Sequence, residues 1–453
     1  ALHKRDVAAA KNSLRRMAAL LPKAQPHDAA FYHYIASWEA LERGDASSSD
    51  HHWQLNTQLV MKSGFPIVIH INRIHGALMK RALGETREAD ALLSEARAIE
   101  IRHRCDRFSF LTTLVESILL TEAGNAPGGI AKLRESLRSA RELGQYGTHF
   151  WFPKFQAEVA GRALREGIEV PFVQEMIRRN RLLPGPGDLD LEEWPWPVRV
   201  YTFGRFNLLI DGGPLPSGRK APQKPLQLLK ALIALGGREV PEEQLGEVLW
   251  PDADGDLAHE SLSSNLKRLR KRLGDDRSVL LRDGRVTLNN RYCWVDAWAF
   301  ERTLGQAGSG RKPGSPVPEE REIARIAERA ISLYKGTFLS GETFCPEIVT
   351  YRERLRSKFL RAVAQAGRHR ERSGEWDAAV ACYRRGLEVD PLSEGLCRSL
   401  ITCHVRREQH AEARAAYQRF RKTLSGVLGV SPSPDLEAIL KSAPDVVPGP
   451  GGR

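Results

Sequence analysis

The sequence predicts a mainly α protein in three parts: a helical solenoid, a compact α+β segment and a second helical-repeat domain. Three observations lead there. The first 183 residues repeat, with helical stretches set between short glycine-ended motifs. From Val198 the apolar pattern changes to short runs rich in β-branched and aromatic residues, followed by three helical stretches and a hairpin signal. After Pro316 the pattern is helical almost to the end.

The solenoid, residues 1–183, is read from three motifs: LERG ending at Gly44, RALG ending at Gly84 and TEAG ending at Gly124. They are spaced by 40 residues, and LREG ending at Gly167 follows at a slightly longer interval. A helical stretch precedes each glycine, and a second one usually follows, as in READALLSEARAIE. Glycine ends the first helix of a pair because a left-handed backbone costs it nothing. Helix pairs at this period stack into a solenoid with a concave binding surface. The pattern resembles the TPR-like repeats of MalT-type bacterial regulators. Phe31, Tyr32, Trp53, Phe150 and Trp151 are read as core between repeats, and the concave face as the place for a small-molecule or protein signal.

Residues 184–197 form a Pro/Trp-rich linker. Proline and glycine at this density end the helices. Asp188, Asp190, Glu192 and Glu193 make the segment acidic. Trp194 and Trp196 are expected to dock on a neighbouring domain and make it a stiff hinge.

The α+β segment is residues 198–297. VRVYTFGRFNLLID gives short antiparallel strands ending at Asp211-Gly212-Gly213. Pro225 stands at the first position of a helix that Gly236-Gly237 stops. Pro241 opens a second helix. In the third, Leu257–Leu273, the residues Leu262, Leu266, Leu269 and Leu273 form one stripe. At about 100° per residue, Glu260, Ser264, Lys267, Arg268 and Lys271 fall on the opposite face. VLLRDGRVTLNN then reads as two strands around Asp283-Gly284. Strands, three helices with the third basic, and a hairpin make a winged helix-turn-helix.

This segment resembles the OmpR/PhoB type and, more closely, the form in SARP-type bacterial transcriptional activators. Gln244-Leu245, Val248-Leu249-Trp250, the run from Asn265 to Leu273 and the wing carry the likeness. The wing departs from the pattern: it lacks the usual Gly-Tyr pair and reads Asn289-Asn-Arg-Tyr292. The resemblance implies that the third helix enters the major groove of double-stranded DNA. Ser261, Ser264, Asn265 and Arg268 are then the candidates for base contacts, with Arg268 suited to guanine and Asn265 to adenine. Lys267, Arg270 and Lys271 are candidates for phosphate contacts, and Arg282, Arg285 and Arg291 for wing contacts. The loop carrying Asp252, Asp254 and Asp256 is expected to face away from phosphate and to touch RNA polymerase.

Residues 298–445 are helical pairs again, opening with a flexible loop at Gly305–Pro316. EWDAAxxxY at Glu375–Tyr383 and EAxxxY at Glu412–Tyr417 have TPR-like spacing. With LGVSPSPDL at Leu428–Leu436, they resemble the bacterial transcriptional activation domain that follows the winged helix in SARP regulators.

Bulk properties agree with this class. Hydrophobic content of 42% and charged content of 27% fit a globular protein, and no apolar run reaches membrane-span length. Net charge is +12, yet residues 198–297 hold 16 Lys/Arg against 13 Asp/Glu, so the local basic helix is the better evidence for nucleic acid. Cys105, Cys293, Cys345, Cys382, Cys397 and Cys403 form no C-x-x-C pair and are read as reduced, mostly buried thiols in the cytoplasm. The pairs His51/His52 and His70/His75 lack partners at ligand spacing, so no metal or cofactor is expected. No phosphate-binding loop, nucleophile elbow or HExxH occurs, so an enzyme is not expected. The start has neither an initiator Met nor a signal-peptide core, as if the chain began inside a longer protein with an ATP-binding module upstream. Three readings stand: a DNA-binding activator that pairs on DNA, a protein-interaction scaffold whose winged helix does not bind DNA, and the effector half of an ATPase-type switch.

Overall fold

The computed structural model describes residues 7–104, 108–146, 153–215, 223–307 and 320–441. It divides into two compact units, Ala1–Pro195 and Trp196–Arg453. Of the sequence expectations, those on Cys105, Phe150 and Trp151 lie outside the described residues.

The first unit is a run of helix pairs. Its helices are α1 (Val7–Ala18), α2 (Pro26–Glu42), α3 (Ala46–Ser63), α4 (Pro66–Ala82), α5 (Thr86–His103), α6 (Ser109–Glu122), α7 (Ala126–Glu142), α8 (Pro153–Arg165) and α9 (Val170–Asn180). Each even-numbered helix from α2 to α6 packs mainly on its successor, and α4 also packs on α6. The glycines that mark the repeat have left-handed backbones, with φ of 79° at Gly44, 80° at Gly84, 87° at Gly124 and 61° at Gly167. The repeat is therefore legible because chain reversal needs a residue without a Cβ at one fixed place. Pro26 and Pro66 start α2 and α4, where no backbone donor is lost.

The aromatic residues divide. Tyr34 and Trp38 are buried, and Tyr32 and Trp53 half-buried. Phe31, expected in the core, is 53% exposed. The linker is packed rather than solvated. Asp188 and Asp190 are buried, and Asp188 accepts hydrogen bonds from Arg165 Nη2 at 2.7 Å and from the Gly185 N–H at 3.1 Å. Trp194 and Trp196 are each 2% exposed.

The second unit begins with β1 (Val198–Tyr201), β2 (Asn207–Ile210) and β3 (Gly213–Pro214). Then come α10 (Lys224–Ala234), β4 (Val240–Pro241), α11 (Glu242–Leu249) and α12 (Gly255–Leu273). The hairpin is β5 (Val279–Arg282) and β6 (Arg285–Leu288), and β7 (Cys293–Val295) closes the segment. One sheet has the order β3-β2-β1-β7, with β7 parallel to β1, and a second has β4-β6-β5. Asp283 and Gly284, at φ 48° and 68°, make the two-residue turn that the sequence announced.

Seven helices follow: α13 (Asp296–Ala307), α14 (Glu320–Leu333), α15 (Pro346–Arg372), α16 (Trp376–Val389), α17 (Glu394–Arg406), α18 (His410–Leu428) and α19 (Pro434–Lys441). The loop expected from Gly305 is corrected at its start: Gly305, Gln306 and Ala307 complete α13, and residues 308–316 lie outside the described residues.

Residue 298 is no seam in the packing. One apolar core runs from Val198 through Phe300, Tyr334 and Phe359 to Leu436. The loop after α14 lies against the first sheet, where Phe338 bridges to Phe203 and the Leu339 N–H donates to Thr202 O at 2.8 Å. Lys230 on α10 pairs with Glu342 from the same loop. The winged helix and the helical domain thus share one interior.

Candidate nucleic-acid interface

The candidate interface is built on α12. Asp254 caps its start by accepting from the Leu257 N–H at 3.1 Å, and Asp256 adds an acid to the first turn. Arg270, Lys271 and Arg272 stand in the last turn, before Gly274 at φ 74°. Acids at the N-terminus and cations at the C-terminus both favour a helix. Leu262, Leu266, Leu269 and Leu273 are each no more than 1% exposed and pack towards α10 and α11. Burying each stabilises the unit by roughly 1.5–3 kcal/mol. The stripe fixes the rotation of the helix, and so decides which residues face out.

Glu260, Ser264, Lys267, Arg268 and Lys271 all lie exposed on the other face, as the period predicts. Ser261 is half-buried. Two expectations are corrected. Asn265 is only 7% exposed and its Nδ2 donates to the Ser261 carbonyl at 2.8 Å, so it is turned to the core and tied to its own helix. It borders the leucine stripe directly, between Leu262 and Leu266. Arg270 is half-buried and its Nε donates to Val279 O at 2.9 Å. It ties α12 to the root of the hairpin, so the outward cations of the helix are Lys267, Arg268 and Lys271.

Arg282, Arg285 and Arg291 are exposed. Arg282 and Arg285 face each other across the hairpin tip, and Arg285 Nη1 also donates to Glu239 O at 3.1 Å. The atypical end of the wing has its own logic. Asn289 Nδ2 donates to Arg277 O at 3.1 Å, and its Oδ1 accepts from the Arg291 N–H at 3.1 Å. Arg277 lies over the Tyr292 ring at 4.7 Å and pairs with Asp275, which holds the Asp275 carboxyl below its ordinary pKa. Asn289 thus holds this turn by its side-chain bonds.

Asp252, Asp254 and Asp256 are exposed, but Asp254 is committed to the cap. Sequence reasoning missed Lys224, whose Nζ donates to Leu249 O at 2.9 Å and lies 5.5 Å from the Trp250 ring centroid. It closes the end of α11 just before the turn into α12. A lysine beside Pro225 carries no sign of a partner 25 residues on.

Among the described residues, no group of three or more His, Cys, Asp or Glu could hold a metal ion. The histidine pairs separate: His70 Nε2 meets Thr112 Oγ1 at 3.0 Å, whereas His75 stacks on Trp38. Cys293, Cys345, Cys382, Cys397 and Cys403 are unpaired, and burial pushes the Cys293 thiol up to about 12. No helix among the described residues is long and apolar enough to cross a membrane.

Comparison with known proteins bears on the helical domain that follows the winged helix. Residues 295–442 match the bacterial transcriptional activator domain. The transcriptional regulatory protein EmbR of Mycobacterium tuberculosis is 26% identical over 262 residues, covering 52% of this chain and 61% of EmbR. The regulatory protein AfsR of Streptomyces coelicolor is 27% identical over 261 residues, covering 56% of this chain and 25% of AfsR. The chain therefore spans less than two thirds of either relative. A solved structure of M. tuberculosis EmbR, in complex with a low affinity phosphopeptide, aligns at 23% identity and a TM-score of 0.42, covering 55% of this chain and 65% of that one. Residues 295–442 match the model of the bacterial transcriptional activator domain, and together with the winged helix that shares their core they form an arrangement similar to that of SARP-type bacterial transcriptional regulators.

Proposed function

We propose that this chain is a sequence-specific DNA-binding transcriptional regulator of the bacterial cytoplasm, an activator that contacts RNA polymerase. The observation that carries this is the outer face of α12. It joins three exposed cations to small polar residues on a helix whose rotation is fixed by four buried leucines. Arg268 reads a guanine edge, with Ser264 and the half-exposed Ser261 beside it. Lys267 and Lys271 bind phosphate, and the wing arginines hold the backbone next to the helix. One recognition helix reads few base pairs, so two copies act on repeated half-sites. Asp252 and Asp256, free of the capping role, are the polymerase contacts. The first unit serves as the module for a signal or a protein contact.

The test is selection from random duplex DNA with this chain, beside an Arg268→Ala/Lys271→Ala variant. A repeated motif that the variant loses is the expected result. No enrichment, even at low salt, would overturn the reading in favour of a scaffold that does not bind DNA.

A further inference from the structure

In the first unit, the seam between α2 and α3 is crossed by polar rungs. Asn56 Nδ2 donates to Ala30 O at 2.7 Å, His33 Nδ1 lies 3.0 Å from His52 Nδ1, and Ser37 Oγ donates to Ser49 O at 2.9 Å. Residues 30, 33 and 37 run down one face of α2, and 56, 52 and 49 meet them in order along α3. The 40-residue repeat shows what is particular to the middle rung. The outer rung at Asn56 recurs in the third helix pair, where Ser136 Oγ donates to Phe110 O at 2.6 Å. At the positions of His33 and His52, the next two pairs carry Arg73 with Leu92 and Thr113 with Lys132, none of which titrates near neutral pH.

Only one hydrogen fits between the two imidazoles. When both rings are neutral, one Nδ1–H donates and the other Nδ1 accepts. A first added proton leaves this bond in place, because the imidazolium still donates to its neutral neighbour. A second would put hydrogen on both Nδ1 atoms across 3.0 Å, where neither can accept. The surroundings add to that cost. The His51 ring lies 5.6 Å from that of His52, and Tyr32 stands edge-on to His33 at 5.1 Å. Burial first, then the charge of neighbouring histidines, holds both His33 and His52 below the ordinary histidine pKa. Glu39 on α2 pulls His52 the other way, but Arg43 already pairs with it at 2.7 Å. On α4, burial drives His75 down to about 3 and keeps it neutral, while Arg73 pairs with Glu95 and Lys80 with Asp50. On α1, Lys11, Arg15 and Arg16 lie exposed.

We propose that His33 and His52 form a proton-operated latch: the middle of the α2–α3 seam holds with up to one added proton and parts when the second arrives. An unfolded histidine titrates at about 6.5. Well above that pH neither state binds the protons, and the latch adds no pH dependence. Below it the unfolded chain takes up protons that the closed seam refuses, so the first unit weakens as pH falls. The rungs at Asn56 and Ser37 do not titrate, so the loosening starts between them. The latch belongs to the first unit and is independent of the DNA reading.

The test is NMR of the whole chain, labelled at the histidine ring nitrogens, from pH 8 to 5, beside His33→Phe. Two titration steps for the wild-type pair, separated by about one pH unit or more, are expected. In His33→Phe, His52 should titrate in one step. Hydrogen exchange gives a second reading. Between pH 7.5 and 5.5, after correction for the intrinsic rate, the amides of α2 and α3 should speed up about tenfold more in the wild type than in His33→Phe, the equivalent of one pKa unit. His75 is present in both proteins and cancels in the comparison. If His33→Phe does not fold, His52→Gln, which keeps a hydrogen-bonding group opposite His33, takes its place. Independent single-step titration of the two histidines, or equal exchange in variant and wild type, would overturn the proposal.

Discussion

Asp296 accepts hydrogen bonds from both the backbone N–H and the hydroxyl of Thr202, the former at 2.8 Å and the latter at 2.5 Å. The Phe203 N–H, at 2.9 Å, and the Ala297 N–H, at 2.7 Å, point at the same carboxyl. This pair pins the end of β1 to the start of α13, where the winged helix passes into the helical domain. Burial outweighs these donors and pushes the Asp296 pKa up to about 6. An unfolded aspartate titrates near about 3.9. Below about pH 4 both states hold the proton and the group adds no pH dependence. Between about pH 4 and 6 the unfolded chain releases it first, so stability falls as pH rises, by on the order of 3 kcal/mol, and is level above. Asp296→Asn should remove this slope. Urea unfolding of both proteins from pH 4 to 7 measures it, and a pH-independent difference between them would contradict the assignment.

Asp254→Ala should cost about 1 kcal/mol of stability through loss of the α12 cap. Asp252→Ala and Asp256→Ala should each change it by less than about 0.5 kcal/mol. Thermal melts separate the three. If Asp254→Ala melts like the other two, the cap seen here contributes nothing.

Arg270 and Lys271 are neighbours in sequence with opposite expected phenotypes. Lys271→Ala should leave stability unchanged and lower the log–log salt slope of DNA binding by about 0.9. Arg270→Ala should destabilise the unit, because it removes the bond to Val279, and leave the slope nearly unchanged. Equal slopes for wild type and Lys271→Ala would remove Lys271 from the interface.

Leu266→Ala should cost about 2–5 kcal/mol, the range for a large-to-small change at a filled core position. Because the core is shared, denaturant should unfold residues 196–441 in one transition by both fluorescence and circular dichroism. Separate transitions for the winged helix and the helical domain would break that prediction.

Much of this fold is periodic and was legible for that reason. The leucines of α12 at steps of four, three and four set its inner face, and the glycines at 44, 84 and 124 set the repeat. Asp283-Gly284 named its own turn. What stayed hidden depends on partners distant in sequence. The parallel pairing of Val198 with Cys293, the bridge from Phe203 to Phe338 and the ion pair of Lys230 with Glu342 leave no local pattern. Asn265, taken as a base-contact candidate from the family resemblance, instead sits inward, where its back-bond to Ser261 satisfies its amide donor. At Phe31 an aromatic residue suggested core, yet the side chain is 53% exposed.

The common interior beneath Phe203 and Phe338 also limits how such regulators can diversify. Exchanging only the reading module between two of them would cut through packed side chains and leave both halves exposing apolar surface. Residues 196–441 should move as one cassette, in genomes as in the laboratory. Under the proposed DNA reading, new operators would be reached by rewriting the outward positions of α12 in place.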